Sequence, residues 1–131
     1  MTQPALRMEI PERVRCAVEA ALDGQAIELR VLQLEKVCDF TDYFVICSGS
    51  NSRQVEAIAD RVGDKLKDEG VSPRHVEGVG RGRWILMDYG DFLVHVLDTE
   101  RRDYYRLEDL WSDAPNVTPD FVDPVACEAQ G

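Results

Sequence analysis

The chain is poor in the features that would tie it to a membrane, a metal or a disulfide framework. No apolar run approaches the ~18 residues that a single-helix span needs, so no transmembrane helix is expected. The four cysteines, Cys16, Cys38, Cys47 and Cys127, are far apart and form no C-x-x-C pair. This argues against a disulfide scaffold or a zinc site and for a reducing compartment. Histidine is scarce: His75 and His95 are the only two, with no cysteine close to either in sequence, so no metal site is expected. The first ten residues lack a basic start followed by an apolar stretch, so no secretory signal is expected and the reading is cytoplasmic. No G-K-[ST] follows the one Gly-Ser turn, which excludes a Walker A phosphate loop. No internal repeat is visible.

Basic residues are also scarce, at 15 against 25 acids, for a net charge of −10. The imbalance is uneven. From Asp88 to the end there are 11 acids against 3 arginines, a balance of −8, and the first 87 residues carry the remaining −2. Repulsion from phosphate argues against nucleic acid as the direct ligand, so no direct sequence-specific nucleic-acid binding is expected, and a basic protein partner is favoured electrostatically. Solubility alone would use the same acids.

With 131 residues the chain suits one domain with a tail. Pro11 opens a helix whose Val14, Val18, Ala21 and Leu22 recur at helical spacing, and Gly24 closes it. Ile27, Leu29 and Val31 alternate as a strand, with Leu32 and Leu34 extending it, and Glu35 to Asp42 connects. Tyr43 to Cys47 is continuously apolar, as in a strand buried on both faces. Asn51 caps a second helix in a capping box with Gln54, and Val55, Ile58, Ala59, Val62 and Leu66 form its stripe. Gly70 and Pro73 end it, and His75 to Val79 reads as a short strand.

The runs Trp84 to Met87 and Phe92 to Leu97 then flank Asp88-Tyr89-Gly90-Asp91, a hairpin signal. Thr99 to Trp111 reads as one short helix or two helical turns. These elements predict an α/β domain: a mixed five-stranded sheet with flanking helices. The strand–helix–strand unit at its centre suits a parallel crossover. The domain is expected over residues 10–114, after an extension at 1–9 and before an acidic, Pro-containing tail at 115–131 that reads as extended or flexible.

The hairpin carries the densest mixture of rings and acids. Trp84, Leu86 and Asp88 fall on one strand face, and Trp84, Asp88, Tyr89 and Asp91 are expected to gather at the exposed end of the hairpin, where they would grip a basic surface. Arg102, Tyr104, Tyr105 and Trp111 add further rings and guanidinium groups. His95, between Leu93 and Leu97, reads as a core or boundary histidine that could hydrogen-bond an acid at the hairpin. Arg81-Gly82-Arg83 could touch an RNA backbone, although two arginines in an acidic domain are weak grounds for it.

Asp88 and Asp91 are the best candidates for paired carboxylates, but no His, Cys or Ser stands at a spacing that completes a catalytic set. The Ser48-Gly49-Ser50-Asn51 turn could hold a phosphate at a helix N-terminus. A phosphoryl-transfer site would also need paired carboxylates on a nearby strand to hold magnesium, and the nearest acids, Glu56 and Asp60, lie on the helix instead. No catalytic residue, metal or cofactor is therefore assigned.

Three blocks, T-D-Y-F-V-I-C-S-G-S-N-S-R-Q (Thr41 to Gln54), W-I-L-M-D-Y-G-D-F-L-V-H-V (Trp84 to Val96) and R-D-Y-Y-R-L-E-D-L-W (Arg102 to Trp111), resemble the ribosomal silencing factor (Iojap-like) family in order and spacing. The resemblance spans roughly Val14 to Ala114. It implies a nucleotidyltransferase-like α/β fold without that chemistry, and a non-enzymatic repressor. Such a repressor binds the large ribosomal subunit through large subunit protein fourteen and blocks joining of the small subunit when nutrients are short. It also implies homodimers, and a role in large-subunit assembly for organellar relatives. Matched to the family's blocks, Trp84, Asp88, Tyr89 and Asp91 become interface candidates; Arg102 and Tyr105 match too, as interface or as braces of the sheet. A nucleotidyltransferase using the Gly49-Ser50 turn is the enzymatic alternative.

Overall fold

The computed structural model describes residues 9–122. Helix α1 (Ile10–Asp23) starts with Pro11 in its first turn, where the missing N–H has no intrahelical partner to lose. Its buried side, Val14, Ala17, Val18, Ala20 and Ala21, includes three of the four periodic residues, with Leu22 partly buried beside them, and packs on α2 (Ser52–Asp68). Asn51 caps α2 by accepting from the Gln54 N–H at 2.9 Å. The Gln54 carboxamide reaches back to the Ser50 N–H at 2.8 Å, one residue earlier than a reciprocal box would place it.

The strands are β1 (Ile27–Gln33), β2 (Tyr43–Gly49), β3 (His75–Glu77), β4 (Trp84–Asp88) and β5 (Phe92–Asp98), in the sheet order β1-β2-β5-β4-β3. Only β2 and β5 run parallel; the other three pairings are antiparallel. The parallel partner of β2 is thus not the next strand in sequence. The crossover takes in α2 and the edge pair β3–β4 before β5 returns to the centre. Strand β3 stops at Glu77, short of Val79, because Gly78 turns to φ +88 with no space between its Cα and the Trp84 carbonyl for a side chain.

Each face of the sheet has its own core. Helices α1 and α2 cover one face over Val31, Val45, Cys47, Ile85, Met87, Phe92, Val94 and Val96. Cys47 is fully buried, and burial pushes its thiol up to about 12, as expected of a small core hydrophobe. The other face has a thinner roof. Leu32, Leu34, Phe44, Ile46, Leu93 and Leu97 are covered by the segment that holds α3 (Thr99–Tyr105) and α4 (Leu107–Leu110), through Leu107, Trp111 and Ala114.

The expected tail boundary is corrected in part. Residues 115–122 belong to the fold. The Gln33 N–H donates to the Pro115 carbonyl at 2.9 Å, and the Val31 N–H donates to Thr118 Oγ1 at 2.8 Å. A short helix α5 (Thr118–Phe121) then buries Phe121 and Val122 in the core under α1. The segment satisfies the outer rim of β1, which would otherwise hold unpaired N–H groups. The rest of the expected tail, and residues 1–8 of the expected extension, lie outside the described residues.

Candidate functional site

Trp84 opens β4 opposite Leu97, and Asp88 closes it, so the ring and the turn acids stand at opposite ends of the strand. Four residue steps separate them, about 13 Å. The expected single patch of ring and acid is therefore not formed. The turn residues have local duties. Asp88 Oδ1 accepts from the Gly90 N–H at 2.8 Å, which fixes a turn that Gly90 completes at φ +87. Asp91 faces Arg13 of α1 at 3.7 Å. Tyr89, expected at the surface, is 7% exposed and stacks on Phe92 with ring centroids 4.9 Å apart. It turns inward because the chain reverses after Asp88 and the core beneath α1 and α2 extends past the strand ends. Burial pushes its phenol up to about 12, and its hydroxyl has no hydrogen-bond partner among the described residues.

Arg102 is also inside. It is 4% exposed and works as a strut: Nε donates to Glu108 Oε2 at 2.8 Å, Nη1 to Ser48 Oγ at 2.9 Å and Nη2 to the Glu28 carbonyl at 2.6 Å. It ties α3 to the ends of β1 and β2, so the bracing alternative is the one its geometry fits. The Ser48–Asn51 turn has little to offer a ligand, because Gln54 engages Ser50 and Gln54 Nε2 donates on to the Gln25 carbonyl at 3.1 Å.

The rings assemble elsewhere, on the thinly roofed face of the sheet. Trp84 is half-buried, and its Nε1–H donates to His95 Nδ1 at 3.1 Å. The partner of His95 is thus the indole, not an acid at the hairpin, because His95 faces the centre of the sheet one strand away from Trp84. Burial pushes the imidazole down to about 4, which keeps it neutral and able to accept. From this pair a row of rings runs both ways. Tyr105 lies 4.8 Å from Trp84, and Tyr104 meets Tyr105 edge-on at 4.9 Å. On the other side Phe44 meets His95 at 4.6 Å, Trp111 meets Phe44 at 5.7 Å, and Phe40 meets Trp111 at 6.0 Å.

The middle of the row is sealed and its ends are open: His95 is 6% exposed, Phe40 57% and Tyr104 77%. Leu110 adds an exposed aliphatic side chain beside Trp111 in sequence. A groove of about 290 Å³ lined by Glu77, Gly78, Trp84 and Leu86 continues the surface towards the β3 edge. Such a surface, apolar and aromatic with polar margins, is suited to docking a protein.

Of the sequence-derived candidates, the fold brings Trp84 and Tyr105 together. It leaves Asp88 and Asp91 at the far end and buries Tyr89 and Arg102. Sequence reasoning missed Phe40 and Leu110. The available signal for Phe40 was a phenylalanine between Asp39 and Thr41 in the mostly polar connection between two strands.

A model of the family described as "Ribosomal silencing factor during starvation" matches residues 7–130. The ribosomal silencing factor RsfS of Bacillus subtilis (strain 168) is 39% identical over 108 residues, covering 82% of this chain and 92% of that one. A crystal structure of a Chromobacterium violaceum protein is similar at a TM-score of 0.78 and 38% identity, covering 80% of this chain and 88% of that one. A more distant relative, mitochondrial assembly of ribosomal large subunit protein 1 of Mus musculus, is 31% identical over 90 residues, 66% of this chain and 40% of that one.

Proposed function

The chain belongs to the ribosomal silencing factor family, and from that membership we propose that it binds the large ribosomal subunit and blocks its joining to the small one. The partner surface is large subunit protein fourteen, the compartment is the cytoplasm, and the consequence is lower translation when nutrients are short. The observation that carries the placement is the row of rings from Tyr104 to Phe40, exposed at both ends on the sheet face that the long helices leave free. Trp84 and Tyr105 supply rigid contact area there, the kind of side chain that anchors interfaces. The action is occlusion, which requires a stably docked body and no chemistry. Asp88 and Asp91 are retained as a secondary rim that steers a basic partner.

Sedimentation of the purified chain with isolated subunits tests this. Cosedimentation with large subunits, and inhibition of joining when small subunits are added, is expected. Binding to small subunits alone, or to neither, overturns the reading.

A second reading, assembly of the large subunit, is favoured by the name of the mouse relative. It uses the same surface. Particle profiles of a deletion strain separate the two: accumulating precursors point to assembly, and excess joined ribosomes under starvation point to silencing.

A further inference from the structure

The loop from Gly78 to Arg83 adjoins the Trp84 end of the aromatic face and has a built anchor. Gly78, Gly80 and Gly82 all have positive φ. The amides of Gly80 and Gly82 both donate to Glu56 Oε2 at 2.8 Å, which pins the loop to the first turns of α2. Gly82 lies so close to Ser52 that a Cβ there would come within 2.5 Å of it. Consecutive Cα atoms are about 3.8 Å apart. The Cα atoms of Arg81 and Arg83, on either side of Gly82, and of Arg53, next to Ser52, therefore lie within about 12 Å of one another at the start of α2. All three are exposed, and none makes an ion pair among the described residues, although the chain carries a net charge of −10. The same spot holds the positive end of the α2 dipole, while the half-buried Glu56 carboxylate is taken up by the loop amides. It lies at the end of the sheet where β2 and β5 finish and Trp84 begins β4, directly beside the proposed docking face.

We propose that Arg53, Arg81 and Arg83 contact the phosphate backbone of ribosomal RNA when the chain is docked on the large subunit, an inference that rests on the docking reading above. A protein seated on a ribosomal protein has RNA at its margins. Guanidinium groups suit phosphate because they present fixed, bidentate donors. The contact works only in the docked state. The overall negative charge disfavours free RNA, and docking raises the local concentration of phosphate around the three arginines. No base is read, so the contact adds affinity and orientation without sequence preference.

The test compares the full-length chain with the variant Arg53→Gln/Arg81→Gln/Arg83→Gln, and with Arg81→Gln alone, in binding to purified large subunits across a salt series. Circular dichroism confirms that each variant is folded. The three phosphate contacts are expected to contribute about two units to the slope of log affinity against log salt, which the triple variant loses. A photo-crosslinking amino acid at position 81 is expected to label ribosomal RNA. An unchanged slope in the triple variant overturns the proposal. So does crosslinking to protein alone, which would identify an acidic protein segment as the partner. Failure of the parent chain to bind large subunits overturns the docking reading itself and this inference with it.

Discussion

Trp84 of β4 and His95 of β5 are joined across the sheet by an indole N–H donated to Nδ1 at 3.1 Å. The bond fixes the ring at the centre of the aromatic row, with Tyr105 leaning on it from outside. Trp84→Ala is expected to weaken large-subunit binding by at least ~30-fold, the effect of losing an interface anchor worth about 2 kcal/mol. Trp84→Phe keeps much of the area and should fall between. Binding curves on isolated subunits check both, and parent-like binding by Trp84→Ala removes this face from the site.

His95 gives the fold a pH dependence of defined sign. Its folded pKa is about 4, below its usual 6.5. Between these values the unfolded chain binds more protons than the folded one, so stability falls as pH drops from 6.5 and levels off below 4. Between pH 7 and 5 the loss should be about 2 kcal/mol. Urea unfolding at the two pH values measures it, and His95→Gln should flatten the difference.

Arg102→Ala would leave the Glu28 carbonyl, Ser48 Oγ and the Glu108 carboxylate without their common donor. A cost of about 3–5 kcal/mol is expected, with Arg102→Lys recovering only part, because an ammonium cannot span three acceptors in one plane. Denaturant midpoints decide this. Subunit affinity corrected for the folded fraction should not change.

Tyr89→Phe removes a buried hydroxyl that has no partner among the described residues. Stability should stay the same or rise by up to about 1 kcal/mol, and subunit binding should be unaffected. A marked loss of binding would return Tyr89 to the interface.

Thr118→Val takes the acceptor from the Val31 N–H. A loss of about 1–3 kcal/mol is expected, with faster hydrogen exchange at Val31 and Gln33. Truncation after Ala114 should cost more, since it also exposes the core contacts of Phe121 and Val122. Parent-like stability of the truncated chain would make residues 115–122 dispensable.

Local chemistry made most elements legible in the sequence. The stripe from Val55 to Leu66, the Asn51 cap and the Gly90 turn each state their conformation within a few residues. The pairing of β2 with β5 was not legible, because nothing in the intervening α2, β3 and β4 says that two strands will be placed outside it. The packing of Thr118 and Phe121 was hidden by the prolines around them, which look like a solvated tail until the rim of β1 supplies partners. For the site, strand alternation put Trp84 and Asp88 on one face but did not weigh the length of β4 between them. The row of rings draws Phe40, Phe44, Trp84, His95, Tyr105 and Trp111 from separate segments, and only the folded sheet makes them neighbours.

The chain's own residues 115–118 lie along β1, and among the described residues the opposite margin of the sheet is the three-residue β3. A foreign strand seeking to extend the sheet meets an occupied border on one side and a stub on the other. The protein is thereby guarded against growing into ribbons while still presenting bare rings to a partner: stickiness is permitted on its flat surface and denied along its seams.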